Sequence, residues 1–202
     1  GTSGSGKSTI MRLLLGFEEP EAGSIYYDGD AYDSMNKDLV RRQIGVVLQN
    51  GALMSGSIYK NIVGNSELTL EDAWEAARMA GMEEDIKQMP MEMHTMISEG
   101  AGTFSGGQRQ RLMIARAIVH KPRLLFMDEA TSALDNKTQN IVSESLDKLQ
   151  ATRIVIAHRL STVKNADRIY VLDKGAIVEF GSFEELMEKE GVFANLAKRQ
   201  IA

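Results

Sequence analysis

The sequence predicts an α/β fold, with helices covering both faces of a parallel sheet and a helical block inserted into it. Three observations lead there. Short unbroken apolar runs, "QIGVVLQ", "RLLFMD" and "RIVIAH", alternate with helical stretches, as strands buried on both faces require. The stretch from about Leu53 to Gly102 is helical in period instead. The chain opens on a glycine-rich loop, "GTSGSGKSTI", that runs straight into an amphipathic helix.

In chain order, "KSTIMRLLLGF" sets Ile10, Leu13, Leu14 and Phe17 at helical spacing, and "EEPEAG" breaks the helix. "SIYYDGDAY" reads as a short strand ending in an Asp-Gly turn. Gln43–Gln49 is a compact apolar strand. In the middle block "TLEDAWEAARMAG" is the clearest helix, with Thr69 as N-cap and Asp72 three residues on. "GGQRQRLMIARAIVHKP" is a further helix, stopped by Pro122. "RLLFMD", the helix "NKTQNIVSESLDKLQ", "RIVIAH" and "RIYVLDKGAIVEFG" follow. The tail, "FEELMEKEGVFANLAKRQIA", reads as two short amphipathic helices packed on the core. The chain thus divides into a sheet core, residues 1–52 with 116–202, and a helical subdomain, residues 53–115.

Composition narrows the function classes. A chain of 202 residues suffices for one large domain or two small lobes. A net charge of −5 argues against a broad surface for nucleic acid or anionic membrane. Without cysteine there is neither a disulfide framework nor a thiolate metal site. No apolar run approaches the roughly 20 residues of a membrane helix.

The chemistry starts at the front. Gly1-x-x-x-x-Gly6-Lys7-Ser8 matches the phosphate-loop pattern in full. Its glycines let backbone N–H groups turn inward around phosphate oxygens, Lys7 brings a cation to the β- and γ-phosphates, and the Ser8 hydroxyl suits Mg²⁺. The following helix points its positive end at the same anion. Gly1, Ser3, Gly4, Ser5, Gly6, Lys7, Ser8 and Thr9 are therefore the candidate nucleotide contacts of this segment. In "RLLFMDE" an apolar strand ends in Asp128 and Glu129, where α/β sheets bind ligands. Asp128 is the candidate Mg²⁺ holder, and Glu129 the residue that orients the attacking water. On its own an Asp-Glu pair more often caps the next helix; the phosphate loop reverses that preference. Together the two motifs point to a P-loop NTPase with a RecA-like parallel core.

"FSGGQRQR", Phe104 to Arg111, resembles the signature sequence of the ATP-binding cassette (ABC) ATPases, with Phe104 in place of the usual leucine. Phe104, Ser105, Gly106, Gly107 and Gln108 form a second anion-binding surface at a helix start. By the same resemblance, Gln49 is the glutamine that senses Mg²⁺ and connects to a transmembrane partner. "SALD", ending in Asp135, is the loop that crosses a dimer interface, and His158 is the switch histidine at the γ-phosphate. His94 and His120 lack such a setting and read as surface residues. "GSIYKNI" and "MISEGAGTFSGGQ", with Ser98-Glu99-Gly100 before the signature, are similar to exporter-type cassettes, above all those of bacterial peptide or bacteriocin exporters. The resemblance implies ATP and Mg²⁺ as cofactors, a second copy bound head to tail with ATP, a membrane permease, and a place at the cytoplasmic face of the membrane. The methionines of "QMPMEMHTM" suit a docking groove or plain packing equally.

A cassette of this family starts some tens of residues before its phosphate loop. The resemblance therefore implies that an adenine-stacking aromatic residue and N-terminal strands precede Gly1 in a larger polypeptide, one with fused membrane helices upstream. A chain without them is expected to bind ATP weakly and to self-associate through an uncovered strand edge. Two further readings compete. One is a soluble ABC ATPase acting in DNA repair or translation, which the absence of a heptad run between Lys7 and Ser105 disfavours. The other is a catalytically incomplete interaction module.

Overall fold

The computed structural model describes residues 1–49, 51–98, 104–157 and 160–201. In chain order the elements are α1 (Lys7–Leu14), β1 (Tyr26–Tyr27), β2 (Asp30–Ala31), α2 (Lys37–Arg41), β3 (Ile44–Val47), β4 (Gly56–Ser57), α3 (Ile58–Val63), α4 (Leu70–Met79), α5 (Glu83–Lys87) and β5 (Met96–Ile97). There follow α6 (Gly106–Ile118), β6 (Leu124–Asp128), α7 (Asn136–Lys148), β7 (Thr152–Ile156), α8 (Leu160–Lys164), β8 (Ile169–Asp173), β9 (Ala176–Gly181), α9 (Phe183–Glu188) and α10 (Val192–Ile201). The chain forms two compact units, residues 36–155 and residues 1–35 with 156–202.

The unit 36–155 is built on a sheet of order β3-β6-β7. β3 and β6 run parallel, in register from Ile44 opposite Leu124 to Val47 opposite Met127. Leu125, Phe126, Met127 and Asp128 are all buried, so β6 has no solvent face. That is why its sequence runs apolar instead of alternating. α6 lies against β3 at backbone distance: a Cβ on Gly45 would come within 2.2 Å of the Ala117 carbonyl oxygen. A glycine inside a strand marks such an approach.

The expected helical block is present as α3, α4 and α5. Ala73, Ala76, Ala77 and Ala80 give α4 and its C-cap a small-residue face, buried in one cluster with Leu112, Ile114 and Ile118 of α6. The capping box expected at Thr69 and Asp72 forms, with the Thr69 N–H 2.7 Å from Asp72 Oδ2 and the Asp72 N–H 3.3 Å from Thr69 Oγ1. Two-residue strands, β4 and β5, pair antiparallel across this block. The block also holds a buried polar centre at Asn61. Its side chain bonds to Met54 N and O at 2.8 Å each, while Arg116 reaches Asn61 Oδ1 at 2.6 Å, the Asn61 carbonyl at 2.7 Å and the Ala52 carbonyl at 3.1 Å.

The second unit joins α1 and the β1–β2 hairpin to α8, the antiparallel β8–β9 hairpin, α9 and α10. β1 and β2 turn at Asp28–Gly29, both left-handed, as the Asp-Gly signal predicts. Its core gathers Ile169, Val171, Leu186, Phe193 and Ala197. Glu179 accepts the Val192 and Phe193 N–H groups at 2.8 Å each, placing a carboxylate on the positive end of α10. One expectation needs correction. Phe17 is 58% exposed, whereas Met11 and Leu15 are the buried residues at this helix. The helix ends at Leu14 and the chain turns at left-handed Gly16, so Phe17 has left the helical phase. His94 and His120 are exposed, as expected.

Two predictions follow from this packing. Gly45→Ala forces β3 and α6 apart and should cost about 1–3 kcal/mol of stability, read from urea unfolding. The Tyr27 hydroxyl donates to the Leu14 carbonyl, and burial, helped by Tyr32, pushes its pKa up to about 12. Its folded pKa exceeds the unfolded value, about 10. The stabilisation is therefore complete below that value and is lost as pH rises toward the folded one. A tyrosinate absorbance titration should show a late-ionising component that Tyr27→Phe removes.

Candidate active site

The phosphate-loop residues stand together at the head of α1. Gly6 is the helix N-cap with φ 99°, a conformation only glycine takes freely, and Gly4 has φ 77°. These values curl the chain around Lys7. The Lys7 ammonium donates to the carbonyls of Gly1 at 3.1 Å and Thr2 at 2.7 Å, and to Ser5 Oγ at 3.3 Å. Ser5 is buried and its carbonyl accepts the Gly175 N–H at 3.1 Å, which ties the loop to the β8–β9 turn. Gly1 abuts the Leu172 carbonyl of β8. Ser3, Ser8 and Thr9 are exposed around this loop. A cation held by oxygens at a helix N-terminus suits a polyphosphate, because phosphate oxygens outbid neutral carbonyls for the ammonium.

In the unit 36–155, Asp128 ends β6 and is 8% exposed; Glu129 follows in the turn, half-buried, with φ 52°. Gln49 is exposed two residues past the end of β3. Because β3 and β6 are parallel neighbours, Gln49 and Asp128 leave the sheet at the same edge. A carboxylate and an amide oxygen are hard oxygen donors of the kind Mg²⁺ selects. Among the described residues no cluster of three His, Cys, Asp or Glu side chains forms a metal site by itself.

The signature segment starts α6. Phe104, just before it, is buried and anchors the turn by its apolar side chain. Ser105 is the N-cap, and it forms a capping box with Gln108: Ser105 N–H to Gln108 Oε1 at 2.9 Å and Gln108 N–H to Ser105 Oγ at 3.1 Å. Gly107 lies so close to the 131–134 segment that a Cβ there would stand 3.2 Å from the Ala133 carbonyl oxygen. Asp135, expected at the nucleotide, is the N-cap of α7, accepting the Thr138 N–H at 2.9 Å and the Thr138 hydroxyl at 2.8 Å. Those bonds hold its pKa below the ordinary carboxylate value. His158, Glu99 and Gly100 lie outside the described residues.

The sequence reading passed over two residues. Asp85 on α5 accepts from Arg111 at 2.8 and 3.3 Å and from Gln108 Nε2 at 2.8 Å, so it anchors the start of α6 to the helical block. Gln110 bonds both to the Glu129 carbonyl and to Ala133. Neither has a local signal, since each partner lies about twenty positions or more away in sequence.

Comparison with known proteins gives the family. Residues 1–132 match the family described as ABC transporter. The leukotoxin export ATP-binding protein LtxB of Aggregatibacter actinomycetemcomitans is 44% identical over 100% of this chain. The alpha-hemolysin translocation ATP-binding protein HlyB of Escherichia coli O157:H7 is 46% identical over 99% of it. The chain spans 29% of the length of each. A solved structure of a bacterial Atm1-family ABC exporter with ATP bound superposes with a TM-score of 0.96 at 37% identity, over 100% of this chain and 36% of that one. The chain belongs to the ABC transporter family. Within it the chain is an ATPase domain of P-loop NTPase fold, close to those of bacterial toxin exporters.

Asp85→Ala leaves Arg111 and Gln108 without their shared acceptor. It should lower unfolding stability by about 1–3 kcal/mol in urea titration.

Proposed function

We propose that the chain binds and hydrolyses ATP and that this drives export through a transmembrane permease. The observation that carries the reading is the loop Gly1–Gly6 closed around the Lys7 ammonium at the head of α1. Lys7 and the loop N–H groups bind the triphosphate. Ser8, Gln49 and Asp128 would hold Mg²⁺, which would neutralise phosphate charge. Glu129 orients the attacking water and accepts its proton as the bond between the γ-phosphorus and the bridging oxygen breaks. His158 contacts the γ-phosphate. Phe104 to Gln108 and Asp135 act at the nucleotide of a second copy, facing head to tail.

Two separate anion-binding helix starts on one chain, at α1 and α6, support such pairing. Neither start alone encloses a triphosphate, so ATP favours the closed pair and hydrolysis releases it. Residues 53–115 act as the subdomain that meets the permease, with Gln49 and Glu99 at that surface. The greater length of the relatives supports a permease on the same polypeptide, at the cytoplasmic face of the membrane. The names of the leukotoxin and hemolysin transporters support a toxin as substrate, and a peptide or bacteriocin is the finer reading we propose.

Glu129→Gln should keep ATP affinity while turnover falls about 100-fold or more. Light scattering on that variant should show a dimer only with Mg-ATP, and Lys7→Ala should abolish it. Near-normal hydrolysis by Glu129→Gln would overturn the assignment.

A further inference from the structure

Gln110 lies one helical turn beyond Gly106 and Gly107 and is 7% exposed. Its Oε1 accepts the Ala133 N–H at 2.9 Å. Its Nε2 donates to the Glu129 carbonyl at 3.0 Å and reaches Ser132 Oγ at 3.5 Å. A backbone donor faces one end of the amide and a backbone acceptor the other, so only one orientation satisfies both. The Glu129 carbonyl also accepts the Ser132 N–H at 3.0 Å. The peptide that carries the Glu129 side chain is therefore held by two donors. It needs holding, because Glu129 has φ 52°, a left-handed backbone that a residue with a Cβ keeps only when its surroundings impose it.

We propose that Gln110 is a positioning residue for ATP hydrolysis. It fixes the Glu129 peptide, and through it the direction of the Glu129 carboxylate, relative to the signature turn. The same segment meets α6 twice: Gly107 packs against Ala133 through its backbone, and Gln110 clamps Ala133 and Glu129 through its amide. A shift of the signature turn is thereby passed to Glu129. In this role Gln110 acts through Glu129. The inference rests on the reading of Glu129 as the residue that orients water.

The test measures ATP turnover, KM and thermal midpoint in the full polypeptide for wild type, Gln110→Leu and Gln110→Glu. Gln110→Leu should lower kcat per folded molecule about tenfold with KM unchanged. Gln110→Glu keeps the acceptor for the Ala133 N–H. When ionised it sets an oxygen against the Glu129 carbonyl; when protonated it donates to that carbonyl as the amide does. Its kcat relative to wild type should therefore rise as pH is lowered, a ratio from which the pH dependence shared by both enzymes cancels. Wild-type kcat in Gln110→Leu, or a loss that tracks only the folded fraction, overturns the proposal. So does a pH-independent ratio for Gln110→Glu. If wild type hydrolyses no ATP, the ATPase reading itself fails and takes the inference with it.

Discussion

The close approach of α6 to β3 at Gly45 is the constraint on which the unit 36–155 depends. No side chain separates strand from helix there, so the helix axis is set by backbone contact rather than by deformable packing. Several parts of the unit are tied to that helix. Its first residues are the signature turn, Gln110 holds Glu129, Arg111 holds Asp85 on α5, and Arg116 holds Asn61 on α3. A helix placed by backbone contact can hold two loop segments and two helices at once. One resting on flexible side chains could not.

The loop at α1 obeys a different rule. Its glycines permit the curl, but the charge of Lys7 gives the curl its use. The ammonium is held by neutral oxygens, two of them backbone carbonyls, which satisfy its donors without neutralising it. The side chain is thus ordered with its charge retained, and ordering a lysine side chain costs up to about 2 kcal/mol. A net charge of −5 over the whole chain does not oppose this, since the local field at the loop is set by Lys7 and the helix end.

Local patterns made most of the elements legible. The β6 run, the Thr69–Asp72 box and the Asp28–Gly29 turn each lie within a few residues, and each stands where the pattern put it. Phe17 was misread because helical spacing continues on paper beyond the residue where the backbone turns. β4 and β5 are two residues long, too short for any period to appear. Of the candidate site, the glycine-rich curl around Lys7 and the buried strand end at Asp128 were legible as local structure, because each pattern lies within a few residues. The contacts of Asp85 and Gln110 were not. Their partners come from other elements, and a single sequence does not say which distant carbonyl a buried amide will meet.

That difference has a physical meaning. The apolar face of α6, Leu112, Ile114, Ala115 and Ile118, fixes where the helix lies. Its polar side chains then fix the loops, by hydrogen bonds worth about 1 kcal/mol each when formed and more when broken in a buried place. Burial of apolar area is indifferent to charge, whereas a hydrogen bond to a backbone carbonyl is directional and responds to small displacements. Around α6 the scaffold is built from the first kind of interaction and the chemical groups are placed by the second. Glu129, held left-handed and joined through its carbonyl to the helix that begins at Ser105, is where the two meet. A change felt at the signature turn need move no part of the apolar core to reach it.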